Sequence, residues 1–153
     1  MGLYNFGAPK IYAGYEHIEY SNPSTPLTAG FDDIGGYKLA FVNNAAFPRD
    51  KVLQVYWVGA KYTMLSRLDL TLVYYGVKQN SYGIGANAGC AGTQAGTRSG
   101  NENVYSFSAD YRFTKRFDTY AGLMYSSVQG GLANGFIFNT TNANPTIGFR
   151  FRF

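Results

Sequence analysis

The fold class of this chain is decided by its last ten residues, Asn144-Pro-Thr-Ile-Gly-Phe-Arg-Phe-Arg-Phe153. In an extended strand, successive side chains point to opposite sides. One side of this segment carries the apolar residues Ile147, Phe149, Phe151 and Phe153. The other side carries Thr146, Gly148, Arg150 and Arg152. An apolar side opposite an arginine side predicts a strand with lipid on one side and water on the other.

The composition of the whole chain also fits alternating membrane strands. Of its 153 residues, 18% are aromatic, 19 are glycine and only 14% are charged, whereas about 25% are charged in soluble domains. The mean hydropathy is -0.18, and no apolar run reaches the length of about 18 residues that predicts a membrane helix. The net charge of +4 comes from scattered Lys and Arg residues, so no nucleic-acid partner is predicted.

Alternation and turn residues divide the chain into six full strands and an N-terminal stub. The stub covers residues 3–6, and the strands cover residues 11–20, 52–63, 69–79, 103–114, 118–129 and 144–153. Short connections at 7–10, 64–68 and 115–117 alternate with long ones at 21–51, 80–102 and 130–143. Tight periplasmic turns alternating with long extracellular loops are typical of an outer-membrane barrel. We therefore predict an all-β antiparallel transmembrane meander that contacts the lipid bilayer of the outer membrane.

Charge indicates which side of each strand faces water, because Arg or Lys at the bilayer midplane costs about 2–4 kcal/mol. Asp110 and Arg112 share the polar side of strand 103–114, and a weak repeat aligns residues 107–118 with residues 58–69. The repeat places Lys61 on the water side as well. Together with charged residues assigned in the same way on other strands, the predicted pore-lining residues are Glu16, Lys61, Asp110, Arg112, Arg150 and Arg152.

In two strands the charges do not by themselves separate a lipid side from a water side. In strand 11–20, Glu16 is assigned to the water side because His17 and Glu19 lie nearer the extracellular rim. In strand 69–79 both sides are apolar or aromatic, so alternation does not distinguish lipid from water. Tyrosines near strand ends are interpreted as members of an aromatic belt at the membrane interface. Examples are Tyr62, Tyr111 and Tyr120.

Three segments together resemble the general porins of beta-proteobacteria. They are Ala109-Asp-Tyr-Arg-Phe-Thr-Lys-Arg-Phe-Asp-Thr-Tyr-Ala121, Gly148-Phe-Arg-Phe-Arg-Phe153 and Lys10-Ile-Tyr-Ala-Gly-Tyr-Glu16. The resemblance implies a passive diffusion channel for small hydrophilic solutes and ions, built as a homotrimer of 16-stranded barrels. It also implies that the closing aromatic residues are a signal read by the outer-membrane assembly machinery. These residues are Phe149, Phe151 and Phe153.

The resemblance covers residues 1–153 as the C-terminal part of such a barrel. We therefore expect the N-terminal strands, the constriction loop and the signal peptide to be absent. An open set of strands has two edges, and each unpaired backbone group in lipid costs several kcal/mol. We expect this chain alone not to form the family's pore. In the complete barrel, the excess of cations over Glu16 and Asp110 on the water side predicts a mild anion preference.

Other classes of protein fit the sequence less well. A complete eight-stranded structural or adhesive barrel without a pore suits the length, but it needs an extra strand at residues 36–42. A soluble ligand-binding barrel would turn the apolar sides inward. An enzyme is not predicted, because His17 is the only histidine and it lacks a nucleophile and an orienting partner. No cofactor or metal site is expected, since Cys90 is the single cysteine and has no metal-type spacing.

Overall fold

The computed structural model of the protein describes residues 1–22, 24–25, 33–34, 37–38, 47–83, 97–133 and 140–153. Their strands are β1 (Gly2–Asn5), β2 (Pro9–Tyr20), β3 (Asp33–Ile34), β4 (Tyr37–Lys38), β5 (Lys51–Met64), β6 (Leu68–Gln79), β7 (Gly100–Arg112), β8 (Phe117–Gly130) and β9 (Thr141–Phe151). A 3-10 turn, Gly131–Ala133, follows β8. Within these ranges no helix is long and apolar enough to cross a membrane.

Seven strands form one antiparallel sheet in the order β1-β2-β5-β6-β7-β8-β9. Within this sheet each strand pairs with the sheet's next strand along the chain, β2 with β5 and the others consecutively, which confirms the predicted all-β meander of six full strands and an N-terminal stub. Several strands extend beyond the predicted bounds because their neighbours pair with the extra residues. Gly100 pairs with both Gln79 and Gly130, and Thr141 pairs with Ser127.

The sheet has two edges, β1 and β9, which are not hydrogen-bonded to each other in the described part of the chain. Pro145 is compatible with β9 because proline lacks a backbone donor and is tolerated on an edge strand. The segment proposed as an eighth strand is described only at Tyr37–Lys38, where β4 pairs with β3 in a separate two-stranded sheet. The described ranges therefore place seven strands in the main sheet.

Aromatic rings that cover glycines help to set the register between neighbouring strands. The ring of Tyr12 lies over its cross-strand partner Gly59, where a Cβ would come within 2.3 Å of the tyrosine Cζ. Tyr120 covers Gly148 on the β8–β9 pair in the same way. A slip of one residue would reverse the side of every residue in the strand. It would also place each ring against a residue that has a side chain.

We expect Gly100→Ala to lower the free energy of unfolding by about 1–3 kcal/mol, the usual cost of overpacking. A Cβ at this position would lie 2.6 Å from the Gln129 carbonyl oxygen and 2.6 Å from the Leu132 nitrogen. Backbone atoms cannot rotate away as a side chain can. Denaturant unfolding in detergent measures the change. Gly2→Ala is the control, because nothing lies within 4 Å of that position. Equal losses in the two variants would contradict the steric explanation.

Candidate functional site

Cross-strand register sorts the residues of the seven-stranded sheet onto two faces. We call the face that carries Val58, Phe107 and Phe149 the apolar face. We call the face that carries Lys61, Asp110 and Arg150 the charged face. Register also assigns β6, whose sides could not be distinguished from the sequence. Its apolar face carries Leu68, Leu70, Leu72 and Tyr74, and its charged face carries Asp69, Thr71, Val73, Tyr75 and Val77.

Large side chains on the apolar face are exposed, because no second layer in the described ranges covers the sheet. Phe107 is paired on one side with Leu72 and on the other with Leu123, and all three side chains are exposed. Other exposed members are Ile11, Tyr15, Val58, Tyr62, Tyr105, Tyr111, Tyr125, Ile147, Phe149 and Phe151. A contiguous exposed apolar surface that extends across all the long strands marks a site of contact with another apolar phase. The period-two alternation of β7 and β9 fits lipid as that phase.

A belt of tyrosines crosses the apolar face toward the long connections. It consists of Tyr15, Tyr56, Tyr74, Tyr105 and Tyr125. Tyr74 and Tyr105 are direct cross-strand partners with ring centroids 5.1 Å apart. The Tyr74 hydroxyl donates a hydrogen bond to Oδ1 of Asn103, 2.7 Å away. Beyond this belt the same face becomes polar, as membrane strands do where they enter the headgroup region.

A second aromatic belt lies at the short-turn end of the apolar face. In this belt each aromatic ring contacts the next, in the order Tyr111, Phe113, Phe117, Phe151 and Phe153. From Tyr105 to Phe113 an extended strand spans about 26 Å. At a strand tilt of about 40° this corresponds to about 20 Å across the membrane, close to the roughly 25 Å apolar band of outer-membrane barrels.

The structure corrects one expected member of the aromatic belts. Tyr62 and Tyr111 lie on the apolar face, as predicted. Tyr120 lies on the charged face, directly across from Asp110, with its ring over Gly148. The interpretation of Tyr120 as a belt residue is therefore wrong. The reason is register: β8 pairs Asp118 with Arg112, and Tyr120 follows on the same face two residues later.

Ion pairs connect the charged face at the short-turn end of β5, β6 and β7. Lys61 Nζ lies 2.8 Å from Asp69 Oδ2, and an Nη of Arg112 lies 3.1 Å from Asp69 Oδ1. The hydroxyl of Thr63 donates a third contact to Asp69 Oδ1 at 2.7 Å. One carboxylate thus joins two cations from the strands on either side of it.

A second group of ion pairs joins β7, β8 and β9. Arg150 contacts Asp110 at 2.9 Å and Asp118 at 3.0 Å, while Arg152 contacts Asp118 at 3.0 Å. The Asp118 side chain is only 2% exposed, whereas those of Arg150 and Arg152 are 49% and 53% exposed. The carboxylate therefore lies beneath the guanidinium groups, which present positive charge toward the water side.

All six residues expected to line a pore share the charged face by register. Five of them lie together in or beside the two ion-pair groups, namely Lys61, Asp110, Arg112, Arg150 and Arg152. Glu16 lies apart, across from Val55, and makes no ion pair in the described ranges. Sequence reasoning missed Asp69 and Asp118 as members of this site. The repeat did contain a signal for both, because each aspartate opens a strand after a short basic turn.

The bases of the long connections lie against the opposite end of the charged face. Leu53 and Val128 are buried there. Gln79 Nε2 donates to the Arg98 carbonyl at 2.8 Å. Lys51 Nζ lies 5.7 Å from the centroid of the Tyr82 ring. The described parts of these connections therefore cover the water side of the sheet rather than its lipid side.

The fold and its two faces define a membrane sheet of the outer-membrane barrel class. The sequence profile described as Gram-negative porin matches residues 2–131. The chain belongs to the Gram-negative porin family, which places it in the outer membrane as a porin-type β-barrel protein of a channel family. No curated protein and no solved structure matches the chain. The described ranges hold no cluster of three or more metal-ligating side chains, and Cys90 lies outside them.

We expect Phe107→Arg to destabilise the protein in phospholipid vesicles by about 2–4 kcal/mol, since it places a charge in lipid. Ser108→Arg is the matched control, because the neighbouring residue points to the charged face. Unfolding can be followed by the fluorescence of Trp57, the only tryptophan. Equal destabilisation of the two variants would contradict the assignment of lipid to the apolar face.

We expect Asp118→Asn to lower the free energy of unfolding by about 1–3 kcal/mol, since it removes a buried charged acceptor. Both Arg150 and Arg152 depend on this carboxylate. Thermal unfolding in detergent, followed by circular dichroism, measures the loss. Glu19→Gln removes one negative charge from an exposed residue that has no ion pair in the described ranges, and it should leave the midpoint unchanged. A similar midpoint for both variants would contradict a stabilising role of Asp118.

Proposed function

We propose that this chain forms part of the wall of a passive diffusion channel for small hydrophilic solutes and ions. The observation that carries the proposal is that register gives one sheet an apolar face and an opposite face on which the ion pairs of five strands lie. A channel wall needs lipid contact on one face and water on the other. Membership of the porin family supports the same reading.

The same proposal includes a barrel larger than the seven-stranded sheet. Water-filled porin channels have about 16–18 strands, and the resemblance to beta-proteobacterial porins favours 16 strands in a homotrimer. The unpaired edges β1 and β9 support this, because open edges in lipid leave backbone groups without partners. Further strands, from this polypeptide or from another, would pair with both edges.

We assign a mild anion preference to the charged face of the complete channel. When Asp69 and Asp118 are added to the six predicted pore-lining residues, four cations share the charged face with four carboxylates, so this set no longer has the excess of positive charge that the sequence predicted. The depth of the charges favours anions more than their number. Asp118 is buried beneath exposed guanidinium groups, and the outermost charges act most strongly on ions in the passage.

We also propose that Phe149, Phe151 and Phe153 are read by the outer-membrane assembly machinery. All three are exposed on the apolar face. They lie on or directly after the edge strand β9. An edge strand offers unpaired backbone groups to an incoming strand, and the aromatic side chains give that edge a distinctive surface.

The channel can be tested with protein purified from outer membranes and inserted in planar bilayers. We expect ohmic current steps. In a KCl gradient we expect a reversal potential closer to the equilibrium potential of chloride than to that of potassium. Arg150→Ser should move the reversal potential toward the equilibrium potential of potassium, because it uncovers the carboxylates of Asp110 and Asp118. Lys78→Ser removes the same charge from the apolar face and should not move it. Absence of current steps would contradict the channel. An unchanged potential in Arg150→Ser would contradict only the anion preference.

A further inference from the structure

A basic pocket lies at the short-turn end of the sheet, where the charged face meets two turns. Its volume is about 500 Å³, and its lining includes Ser66, Arg67, Arg112, Phe113, Lys115 and Arg152. Four of these side chains are cationic, and no acidic residue lines the pocket. Such a concentration of one charge in a concave surface raises the local concentration of ions of the opposite sign.

Backbone hydrogen bonds hold the segments that carry these cations in place. The Arg112 nitrogen donates to the Arg67 carbonyl at 2.8 Å, which ties the β5–β6 turn to β7. The Arg152 nitrogen donates to the Arg116 carbonyl at 2.8 Å, which ties β9 to the β7–β8 turn. The pocket is thus preorganised at the level of its backbone, which reduces the entropy lost when a ligand binds.

The cations of the pocket retain donors for a ligand. Arg112 and Arg152 each pair with an aspartate through an Nη atom, but a guanidinium group has five N–H donors. Arg67 and Lys115 have no ion pair in the described ranges. An anion in the pocket would therefore find several donors that the ion-pair groups do not use.

We propose that this pocket binds a soluble oxyanion of the phosphate class. Guanidinium groups bind phosphate oxygens through paired, charge-assisted hydrogen bonds, and the pocket has room for an anion larger than chloride. The site belongs to the water side, because Arg112 and Arg152 lie on the charged face. It goes beyond the channel proposal, since equilibrium binding at this rim does not require conduction.

Binding of inorganic phosphate to the full chain refolded in zwitterionic detergent tests the site. Isothermal titration at low salt should show binding by the unaltered chain. Arg67→Ser combined with Lys115→Ser should weaken it about tenfold or more, as expected for lost charge-assisted hydrogen bonds. Arg67→Lys combined with Lys115→Arg keeps both charges and should retain most of the affinity. Lys78→Ser, at the other end of β6 on the apolar face, should leave the affinity unchanged.

Each outcome of these titrations supports or overturns the proposal. Absence of phosphate binding by the unaltered chain overturns it, as does an equal loss of affinity in Lys78→Ser. A lipid headgroup carries the same phosphate chemistry, so the titration is repeated with phosphatidylglycerol in the micelles. If the phosphate affinity is the same with and without phosphatidylglycerol, the ligand is a soluble anion. If phosphatidylglycerol abolishes phosphate binding, the pocket binds a lipid headgroup and the proposal of a soluble ligand is overturned. The titration measures binding and not current. Its result can therefore be interpreted even if the channel proposal fails.

Discussion

The structure depends on the requirement that every backbone N–H and C=O group in lipid has a hydrogen-bond partner. A meander in which each of seven strands pairs with its neighbour in the chain meets that requirement everywhere except at the edges β1 and β9. Because the backbone satisfies its polar groups within the sheet, the side chains on one face can be wholly apolar. The side chains of Phe107, Leu72 and Leu123 can therefore be exposed together on one face, because the backbone polar groups beneath them are already paired.

On the water side, ion pairs join the strands at the short-turn end of the sheet, and Leu53 and Val128 are buried at the opposite end. Asp69 joins two cations from the strands on either side of it, and the buried Asp118 joins Arg150 and Arg152 at the end of β9. This arrangement neutralises most of the charge near the backbone while leaving guanidinium groups toward the water. The contacts that join these strands therefore also determine which charges the sheet presents toward the water.

Much of the fold could be read from the sequence, because alternation reports the two sides of a strand directly. The assignment of Arg150 and Asp110 to the same face needed only period two and the cost of charge in lipid. Alternation failed where both sides were apolar, as in β6. It also gave Tyr120 the wrong role, because a tyrosine near a strand end fits either side until its cross-strand partner, Gly148, is known.

The class of the protein, the number of strands in the meander and the two sides of the strands with clear charge all follow from the order of the residues. These features are local, since they follow from alternation and turn residues within single hairpins. Which charges contact one another is known only from the folded sheet. Arg150 contacts Asp110, 40 residues away in the chain, and the basic pocket joins two turns to the end of β9. Such contacts depend on register, which is set by pairing across the whole sheet.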